Sequence, residues 1–420
     1  RDEMSAWSPT SQNEAAIVSR FGVLAGLEGI DPPRRLEVLP YTVARMERAP
    51  GDEADPFYER NDLFGSVGGD VRVGVTNDLT LTLTLNPDFG QVEADPAQVN
   101  LSAFEVFFPE RRPFFIEGVN LFRVGLATGD QGGESLFYSR RIGRAPQGSV
   151  SADGGWVEQD EQTTILGAWK LSGKTAGGWS VGLMHAVTAE ETARVRPAAG
   201  GEREAAVEPF TNYSVGRVQR DFRAGRSALG VVATGVNRNL EVAHDLALAT
   251  GAYTFGVDAR HRFADDNWQA SGFVIGSHVR GRSDAILRLQ QTATHLYQRP
   301  DAEHLTLDPT RTSLSGLTWN ADLRKFAGGN LRFAVGTQGR TPGFDANDAG
   351  FQREADFAGS FAYVGWEQAA PMGIFRRWRL DSNGSSAWSW GGEHYQTNMN
   401  VSADGQLANL NTFYTGVSYN

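Results

Sequence analysis

Charged and aromatic residues alternate between positions 104 and 117, and this cluster is the strongest candidate for chemistry in the chain. Its ionisable members are three acids and two bases: Glu105, Glu110, Arg111, Arg112 and Glu117. Carboxylates beside arginines could act as a general acid and base, or form a ligand-binding constriction. Arginine–carboxylate pairs also fasten one segment of a protein to another. The residue types are compatible with catalysis, ligand binding or anchoring as the role of this cluster, and anchoring is the favoured role.

Three further acids, Asp88, Glu93 and Asp95, lie shortly before this cluster. Their oxygen atoms could chelate Ca²⁺, although the spacing does not match an EF-hand loop. Asp95 followed by Pro96 is better explained as the start of a helix. Four apolar residues then share one helical face, and Pro109 ends the run: Ala97, Leu101, Phe104 and Phe108. The sequence predicts a short amphipathic helix here, and calcium is only a weak alternative.

A basic group, Arg140, Arg141 and Arg144, follows Tyr138. Arginine forks bind phosphates and acidic glycans in a bidentate manner, so this group could hold such a ligand. Pairing with carboxylates of the same protein is the simpler interpretation. The arginines are therefore candidates for a constriction that binds a ligand, and stronger candidates for structural ion pairs.

The rest of the chain offers no familiar catalytic or nucleotide-binding motif. Its seven histidines show no metal-ligand spacing, and there is no G-x-S-x-G turn, P-loop or dinucleotide-binding glycine motif. The chain lacks cysteine, and its formal net charge of −11 at pH 7 argues against nucleic acid as a partner. We expect no cofactor, and these absences favour a non-enzymatic role over an enzymatic one.

The elements that position these residues are predicted to be β-hairpins in series. Alternating stretches are separated by turns rich in Gly, Asp and Asn. The clearest pairs are 163–171 with 179–187, 253–263 with 268–279, and 317–325 with 331–337, after earlier strands at 36–46, 70–75 and 79–85. The long polar connections 189–209 and 280–309 resemble the extracellular loops of membrane barrels.

Side-chain alternation, strand length and the composition of the polar face together indicate the expected fold class. In the stretch 253–263, Tyr253, Phe255 and Val257 share one face, whereas Asp258 and Arg260 share the other. A soluble sandwich shows the same alternation, but strands of this length and a charged second face favour a barrel. The sequence predicts an all-β, antiparallel up-and-down transmembrane barrel of about 14–16 strands. The residues 1–420 are interpreted as one domain.

Aromatic and histidine residues fit the membrane interpretation. Five tryptophans are candidates for girdles at the membrane interface: Trp268, Trp319, Trp378, Trp388 and Trp390. The last three, with Tyr395, could instead stack on a sugar ring, and the girdle is the favoured alternative. His185 and His261 fall on lipid-facing or interfacial registers.

Two stretches carry a resemblance to a known family. Residues 82–118, TLTLNPDFGQVEADPAQVNLSAFEVFFPERRPFFIEG, and 136–144, LFYSRRIGR, closely resemble the bacterial DUF5916 family, and residues 21–42 also fit it. The resemblance implies an outer-membrane barrel of a Gram-negative bacterium. It also implies a preceding sugar-binding domain similar to carbohydrate-binding module family 9, which would make this chain a fragment. No catalytic residues are implied.

These observations lead to three functional hypotheses. The first is a pore or transport component for glycans or other polar solutes, surrounded by outer-membrane lipid, with residues 86–118 as a plug-like segment in the lumen. The second is a glycan hydrolase anchored by its barrel, which would use two of Glu105, Glu110 and Glu117. The third is a non-conducting anchor for a carbohydrate-binding module.

Overall fold

The computed structural model describes residues 25–26, 35–48, 50–87, 99–126 and 133–420. The first nine strands in these ranges are β1 (Leu36–Glu47), β2 (Asp62–Gly74), β3 (Leu79–Leu85), β4 (Trp156–Glu158), β5 (Ile165–Lys174), β6 (Trp179–Thr188), β7 (Glu191–Arg196), β8 (Arg203–Glu208) and β9 (Thr211–Phe222). They are followed by β10 (Ser227–Arg238), β11 (Ala249–Phe263), β12 (Trp268–Gly281), β13 (Ser313–Lys325), β14 (Leu331–Arg340), β15 (Phe357–Gln368), β16 (Phe375–Trp388), β17 (His394–Leu407) and β18 (Thr412–Tyr419). Two helices, α1 (Pro113–Ile116) and α2 (Ser283–Gln291), lie between strands.

Fifteen of the described strands form one antiparallel sheet. Its order is β1-β2-β3-β5-β6-β9-β10-β11-β12-β13-β14-β15-β16-β17-β18, so every strand pairs with the next strand of the sheet along the chain. This is the predicted up-and-down meander, and its strand number lies within the expected range. The remaining strands form a separate sheet in the order β4-β7-β8.

The predicted closure into a barrel is not observed among the described residues. β1 and β18 each pair with one neighbour and form the two edges of the sheet. In a meander of fifteen antiparallel strands the first and last strands run in the same direction. These two strands therefore cannot complete an antiparallel ring by pairing with each other.

The two ends of the sheet differ in their connections. Short turns lie at one end, which we call the turn end: 175–178, 223–226, 264–267 and 326–330. The opposite end, the loop end, carries the long connections, among them 86–164, 189–210, 282–312 and 341–356. The turn between β11 and β12 places Ala264, Asp265 and Asp266 in the left-handed region, with φ between 51° and 62°. Short turns and long loops at opposite ends are typical of membrane barrels.

The apolar face of the central strands points outward. Phe255 and Val257 on β11 are 61% and 45% exposed, whereas Thr254 and Gly256, which alternate with them, are buried. The same holds on β13, where Leu317 is exposed and Thr318 is buried. In a soluble sandwich the apolar face packs into the core, so this arrangement is the reverse of a sandwich. We call the exposed apolar side the outer face and the buried side the inner face.

The helix predicted from Asp95 is wrong over the residues that can be checked. Asp95 and Ala97 lie outside the described residues, and residues 99–110 contain no helical turn. Leu101 is 95% exposed and Phe104 is 40% exposed, so the expected apolar face covers nothing there. The only α-helix of this segment among the described residues is α1, in which Pro113 occupies the first turn, where its missing N–H costs no hydrogen bond.

Candidate functional site

A segment of the β3–β5 connection lies against the inner face of the sheet. We call residues 105–144 the inner segment; its positions 127–132 are outside the described residues. Lys170 of β5 donates to the carbonyl oxygens of Phe114 and Glu117, each at 2.6 Å. Arg340 of β14 donates to the carbonyl oxygen of Leu126 at 2.8 Å. Because β5 and β14 lie far apart in the strand order, the sheet must curl around this segment.

Aromatic side chains of the inner segment form an apolar core with the strands. The segment contributes Phe114, Phe115, Phe122, Phe137 and Ile142 to this core. The inner face contributes small and aliphatic residues from six strands, namely Ala168, Met184, Ala186, Val215, Val236, Ala252 and Val279. A second cluster joins Val124, Leu126 and Leu136 to Val232, Ile275, Phe344 and Ala346. Apolar burial therefore fixes the segment at the loop end of the interior.

Glu110 and Arg112, both predicted site residues, form a bidentate ion pair within the segment. The carboxylate accepts from Nε and Nη2 of Arg112 at 2.9 and 2.8 Å, and from the hydroxyl of Ser139 at 2.5 Å. Arg112 also donates to the carbonyl oxygens of Ser139 and Ile142. Burial raises the pKa of Glu110, but the hydrogen bonds and charge of Arg112 outweigh it and hold the pKa below its ordinary value.

Arg141 and Glu105 form a second bidentate pair. Nη1 and Nη2 of Arg141 lie 2.9 and 2.7 Å from the carboxylate oxygens of Glu105. Nε of the same guanidinium donates to the carbonyl oxygen of Gly350 at 2.8 Å. Arg141 therefore connects the inner segment to the loop 341–356.

Glu117, Arg111 and Arg140 complete the predicted cluster. Glu117 is exposed and pairs with Arg72 of β2. Arg140 donates from Nε to the carbonyl oxygen of Pro109 at 3.1 Å. Arg111 is half-buried, and its backbone N–H donates to the carboxylate of Glu110 at 3.0 Å. The structure thus brings the predicted residues together as local ties rather than as one shared pocket.

Arg144 belongs to a different group, near the start of the β10–β11 connection. It donates to Gln147, which in turn donates to the buried carboxylate of Glu208 at 2.8 and 2.9 Å. Burial lowers the pKa of Arg144, and the positive charges of Arg141 and Arg238 lower it further.

Arg238 of β10 pairs with Asp348 beside this group. Burial raises the pKa of Asp348, but the charges of Arg238 and Arg144 outweigh burial and hold that pKa below its ordinary value. Asp348 lies in the loop 341–356, so this pair ties the loop to the wall of the sheet.

One buried ion pair was not predicted from the sequence. Glu134 of the inner segment and Arg340 of β14 are both buried and bidentate, with distances of 3.0 and 2.6 Å. Glu134 also accepts from the backbone N–H of Arg353 at 2.6 Å. The available signal was the position of Arg340 at the loop end of β14, in register with the polar inner face. Its partner lies 206 positions away, beyond any local pattern.

Charged residues also line the inner face at the turn end, below the apolar core. Arg217 of β9 pairs with Asp258 of β11 at 2.8 Å. Asp322 of β13 accepts from Arg324 at 2.9 Å and from Ser271 of β12 at 3.1 Å. Arg332 of β14 pairs with Glu367 of β15 at 3.1 Å. These pairs are spread along the wall.

The geometry bears on the catalytic hypothesis. Each of the three candidate glutamates is paired with an arginine, so a glycosidase mechanism would first have to break two ion pairs. Glu105 also lines a cavity of about 190 Å³ with Phe104, Thr294, Asn347 and Arg353. This cavity is small for an oligosaccharide-processing cleft, and anchoring is the role that the contacts favour.

The metal and aromatic predictions have mixed outcomes. Asp88, Glu93 and Asp95 lie outside the described residues, and within the described ranges no cluster of three acids or histidines could hold a metal ion. No helix in those ranges is long and apolar enough to cross a membrane.

Two of the predicted girdle tryptophans have defined contacts. Trp268 stacks with Phe263, while Trp390 donates from Nε1 to the carbonyl oxygen of Arg340 at 2.7 Å. Trp390 therefore contacts the strand end that carries Arg340, and it is 48% exposed.

The predicted interfacial histidines lie on the outer face, each beside a serine of a neighbouring strand. His185 contacts the hydroxyl of Ser214 at 3.0 Å, and His261 contacts that of Ser227 at 2.9 Å. His278 and Ser315 repeat the arrangement at 2.8 Å. These polar pairs interrupt the outer apolar surface at both of its ends.

Comparisons with solved structures give distant matches to porins and channels. A porin shares 10% identity and covers 92% of this chain and 100% of its own, with a TM-score of 0.31. A BenF-like porin from Pseudomonas fluorescens Pf-5 shares 8% identity over 93% and 82%, with a TM-score of 0.34. The outer membrane channel DcaP of Acinetobacter baumannii shares 10% identity over 93% and 99%, with a TM-score of 0.27. No curated protein matches the chain.

The family comparison covers nearly the whole chain. The model of DUF5916, a domain of unknown function, matches residues 32–420. The match includes both stretches that resemble the family by motif, and it extends through all the strands described above. The chain therefore belongs to the DUF5916 family.

Proposed function

We propose that this chain is an outer-membrane barrel that conducts polar solutes, and that its inner segment controls their passage. The observation that carries the proposal is the reversal of faces along the central strands. Phe255, Val257 and Leu229 are exposed, whereas Asp258 and Arg217 are partly buried on the inner face. An exposed apolar band is stable against lipid and unfavourable in water, and a charged interior suits a polar solute.

The inner segment is the natural candidate for a gate. It occupies the loop end of the interior, and apolar packing and ion pairs hold it there. A solute entering from the loop end would have to pass this segment. The proposed location of the loop end is extracellular, because long loops of outer-membrane barrels face outward.

The test is electrical, with the full chain in planar lipid bilayers. In one variant, residues 105–118 are replaced by a Gly/Ser segment of equal length, which preserves the connection between β3 and β5. The control replaces residues 197–202, the tip of the hairpin formed by β7 and β8. We expect the first variant to conduct more than the wild type and the control to match the wild type. If neither wild type nor variant conducts after insertion, the pore proposal fails.

The solute class is part of the proposal. A carbohydrate-binding module ahead of the barrel, as the family resemblance implies, would join β1 at the turn end, because Leu36 pairs with Val73 beside the turn 75–78. It would bind glycans that have passed the inner segment. Liposome swelling with neutral and acidic oligosaccharides tests whether glycans pass through the barrel. The variant with residues 105–118 replaced serves as the reference. Swelling only with small ions and monosaccharides would contradict a glycan substrate and leave general porin activity.

The dense packing of the inner segment favours one second candidate, a non-conducting barrel that anchors the carbohydrate-binding module at the turn end. Phe115, Phe122 and Leu136 of the segment are buried. In that case the 105–118 replacement would still not conduct, although protease protection would show that the barrel had inserted.

A further inference from the structure

A cavity of about 750 Å³ opens on the outer side of the turn end. It lies beside the turn between β9 and β10, remote from the inner segment. Its lining residues come from β9, β10, β11 and that turn: Arg220, Asp221, Phe222, Arg223, Ser227 and His261. Cationic and aromatic side chains therefore share one surface cavity.

Arg220 is held at this cavity by two aromatic rings. Its guanidinium carbon lies 5.0 Å from the ring centre of Trp179 and 5.0 Å from that of Phe222. Arg220 pairs directly with Trp179 in the strand register, so both side chains occupy the outer face. Cation–π contacts at this distance orient a guanidinium and leave its N–H groups able to donate.

The remaining charges make the cavity positive. Arg223 is exposed in the turn, and His261 is positioned through Ser227, whose hydroxyl lies 2.9 Å from Nδ1. Asp221 is the one acid of the lining, and its carboxylate already accepts from Lys174 at 2.6 Å and from Gln219 at 3.0 Å. A local positive site stands out on a chain whose net charge is −11.

The cavity begins where the outer apolar band ends. Arg220 pairs in register with Leu229, which is 53% exposed, and Val231 and Val257 continue the apolar surface toward the loop end. In a bilayer, the phosphates of lipids lie just outside the hydrocarbon layer, at the depth where aromatic and arginine residues concentrate. The cavity therefore lies at headgroup depth if the apolar band lies in the hydrocarbon layer.

We propose that this cavity binds the phosphate headgroup of an anionic phospholipid, with Arg220 and Arg223 as its donors. The proposal rests on the membrane location proposed above. Arginine forks bind phosphate oxygens in a bidentate manner, and Trp179 and Phe222 contact the adjoining acyl chains. The bound lipid would fix the depth of the turn end in its leaflet.

The test measures lipid selectivity with the full chain in phosphatidylcholine vesicles. Spin-labelled phosphatidylglycerol and spin-labelled phosphatidylcholine report the relative association constant at the protein surface. We expect the wild type to prefer phosphatidylglycerol, and Arg220→Gln and Arg223→Gln each to reduce that preference by roughly fivefold. The matched control is Arg376→Gln, because Arg376 is also an exposed arginine at the turn end but does not line the cavity.

Several outcomes would overturn the proposal. Equal selectivity in Arg220→Gln, Arg223→Gln and Arg376→Gln would show that the cavity does not recognise the headgroup. Displacement of the labelled lipid by millimolar inorganic phosphate, in proportion to its concentration, would assign the site to free phosphate instead. Protease protection in the same vesicles distinguishes the failure of the two proposals. A chain that does not insert contradicts the membrane location. A chain that inserts but shows no lipid selectivity contradicts only the headgroup site.

Discussion

The two halves of the inner face are built from the same strands but from different chemistry. On β11, the inner residues toward the loop end are Ala252 and Thr254, and those toward the turn end are Asp258 and Arg260. The first half is small and mostly apolar because the inner segment packs against it. The second half is charged, and its side chains pair across the wall. Alternation defines the faces, whereas composition along each face determines what occupies the interior.

The comparison has an energetic consequence for the ion pairs of the two halves. Glu134 and Arg340 are buried at the loop end, where an unpaired charge has no water to replace its partner. Arg332 and Glu367 at the turn end retain partial exposure. Removing one partner should therefore cost much more in the first half than in the second.

The largest expected effect is that of Arg340→Met, which leaves Glu134 buried and uncompensated. We expect a loss of about 3–5 kcal/mol in the free energy of unfolding. The matched control, Arg332→Met, should lose about 1 kcal/mol or less. Urea titration in detergent micelles, followed by tryptophan fluorescence, measures both. Equal losses of unfolding free energy in the two variants would show that an unpaired charge is equally unfavourable in both halves of the inner face, which would contradict the comparison above.

The next largest effect concerns apolar contacts. Phe122 of the inner segment is buried, and Phe122→Ala should cost about 3 kcal/mol, since it opens a cavity in the core at the loop end. Phe255→Ala on the outer face should cost less than about 1 kcal/mol in detergent. The same unfolding experiment compares them. A small loss for Phe122→Ala would mean that the inner segment is not packed as a core.

A smaller effect is expected from two serines that donate to carboxylates. Ser139 donates to the partly buried Glu110 at 2.5 Å, and Ser271 donates to the partly buried Asp322 at 3.1 Å. Ser139→Ala should cost about 1–2 kcal/mol and Ser271→Ala less than about 1 kcal/mol, because the shorter hydrogen bond to a carboxylate is the stronger one. A larger loss for Ser271→Ala, measured in the same unfolding experiment, would contradict this order.

The smallest expected effect is a dependence on pH. The folded pKa of Glu110 lies below its ordinary 4.5, so the unfolded state binds more protons between the two values. The stabilisation is complete above about pH 4.5 and is lost as the pH falls through the folded pKa. Glu110→Gln should therefore flatten the acid limb of the stability curve relative to the wild type. An acid limb identical to that of the wild type would contradict this.

The sequence predicted what depends on local alternation. The hairpins, the strand number and the opposite faces of Phe255 and Asp258 follow from period-two patterning, which the backbone of a strand imposes directly. The helix from Asp95 was wrong where it can be checked, because Leu101 and Phe104 find no apolar surface to cover. Periodicity shows which side chains share a face, but only tertiary contacts show whether that face is buried.

The candidate site was predicted in part. Glu110 and Arg112 are two positions apart, and their pairing is a local event that residue type suggests. Glu134 and Arg340 meet only because the sheet curls far enough to bring β14 to the inner segment. The curl depends on the register of every intervening strand, and a register cannot be derived from the two residues that it joins.

The inner segment lies within the connection between β3 and β5, and these two strands are paired neighbours in the sheet. The segment is therefore tethered at both ends, and leaving the interior does not release it from the molecule. Its return is a first-order process whose rate does not depend on protein concentration, and the tethers keep its effective concentration near the interior high. A single cut within the connection would free one end, turning a two-point attachment into a flexible arm, and should slow re-entry without abolishing it.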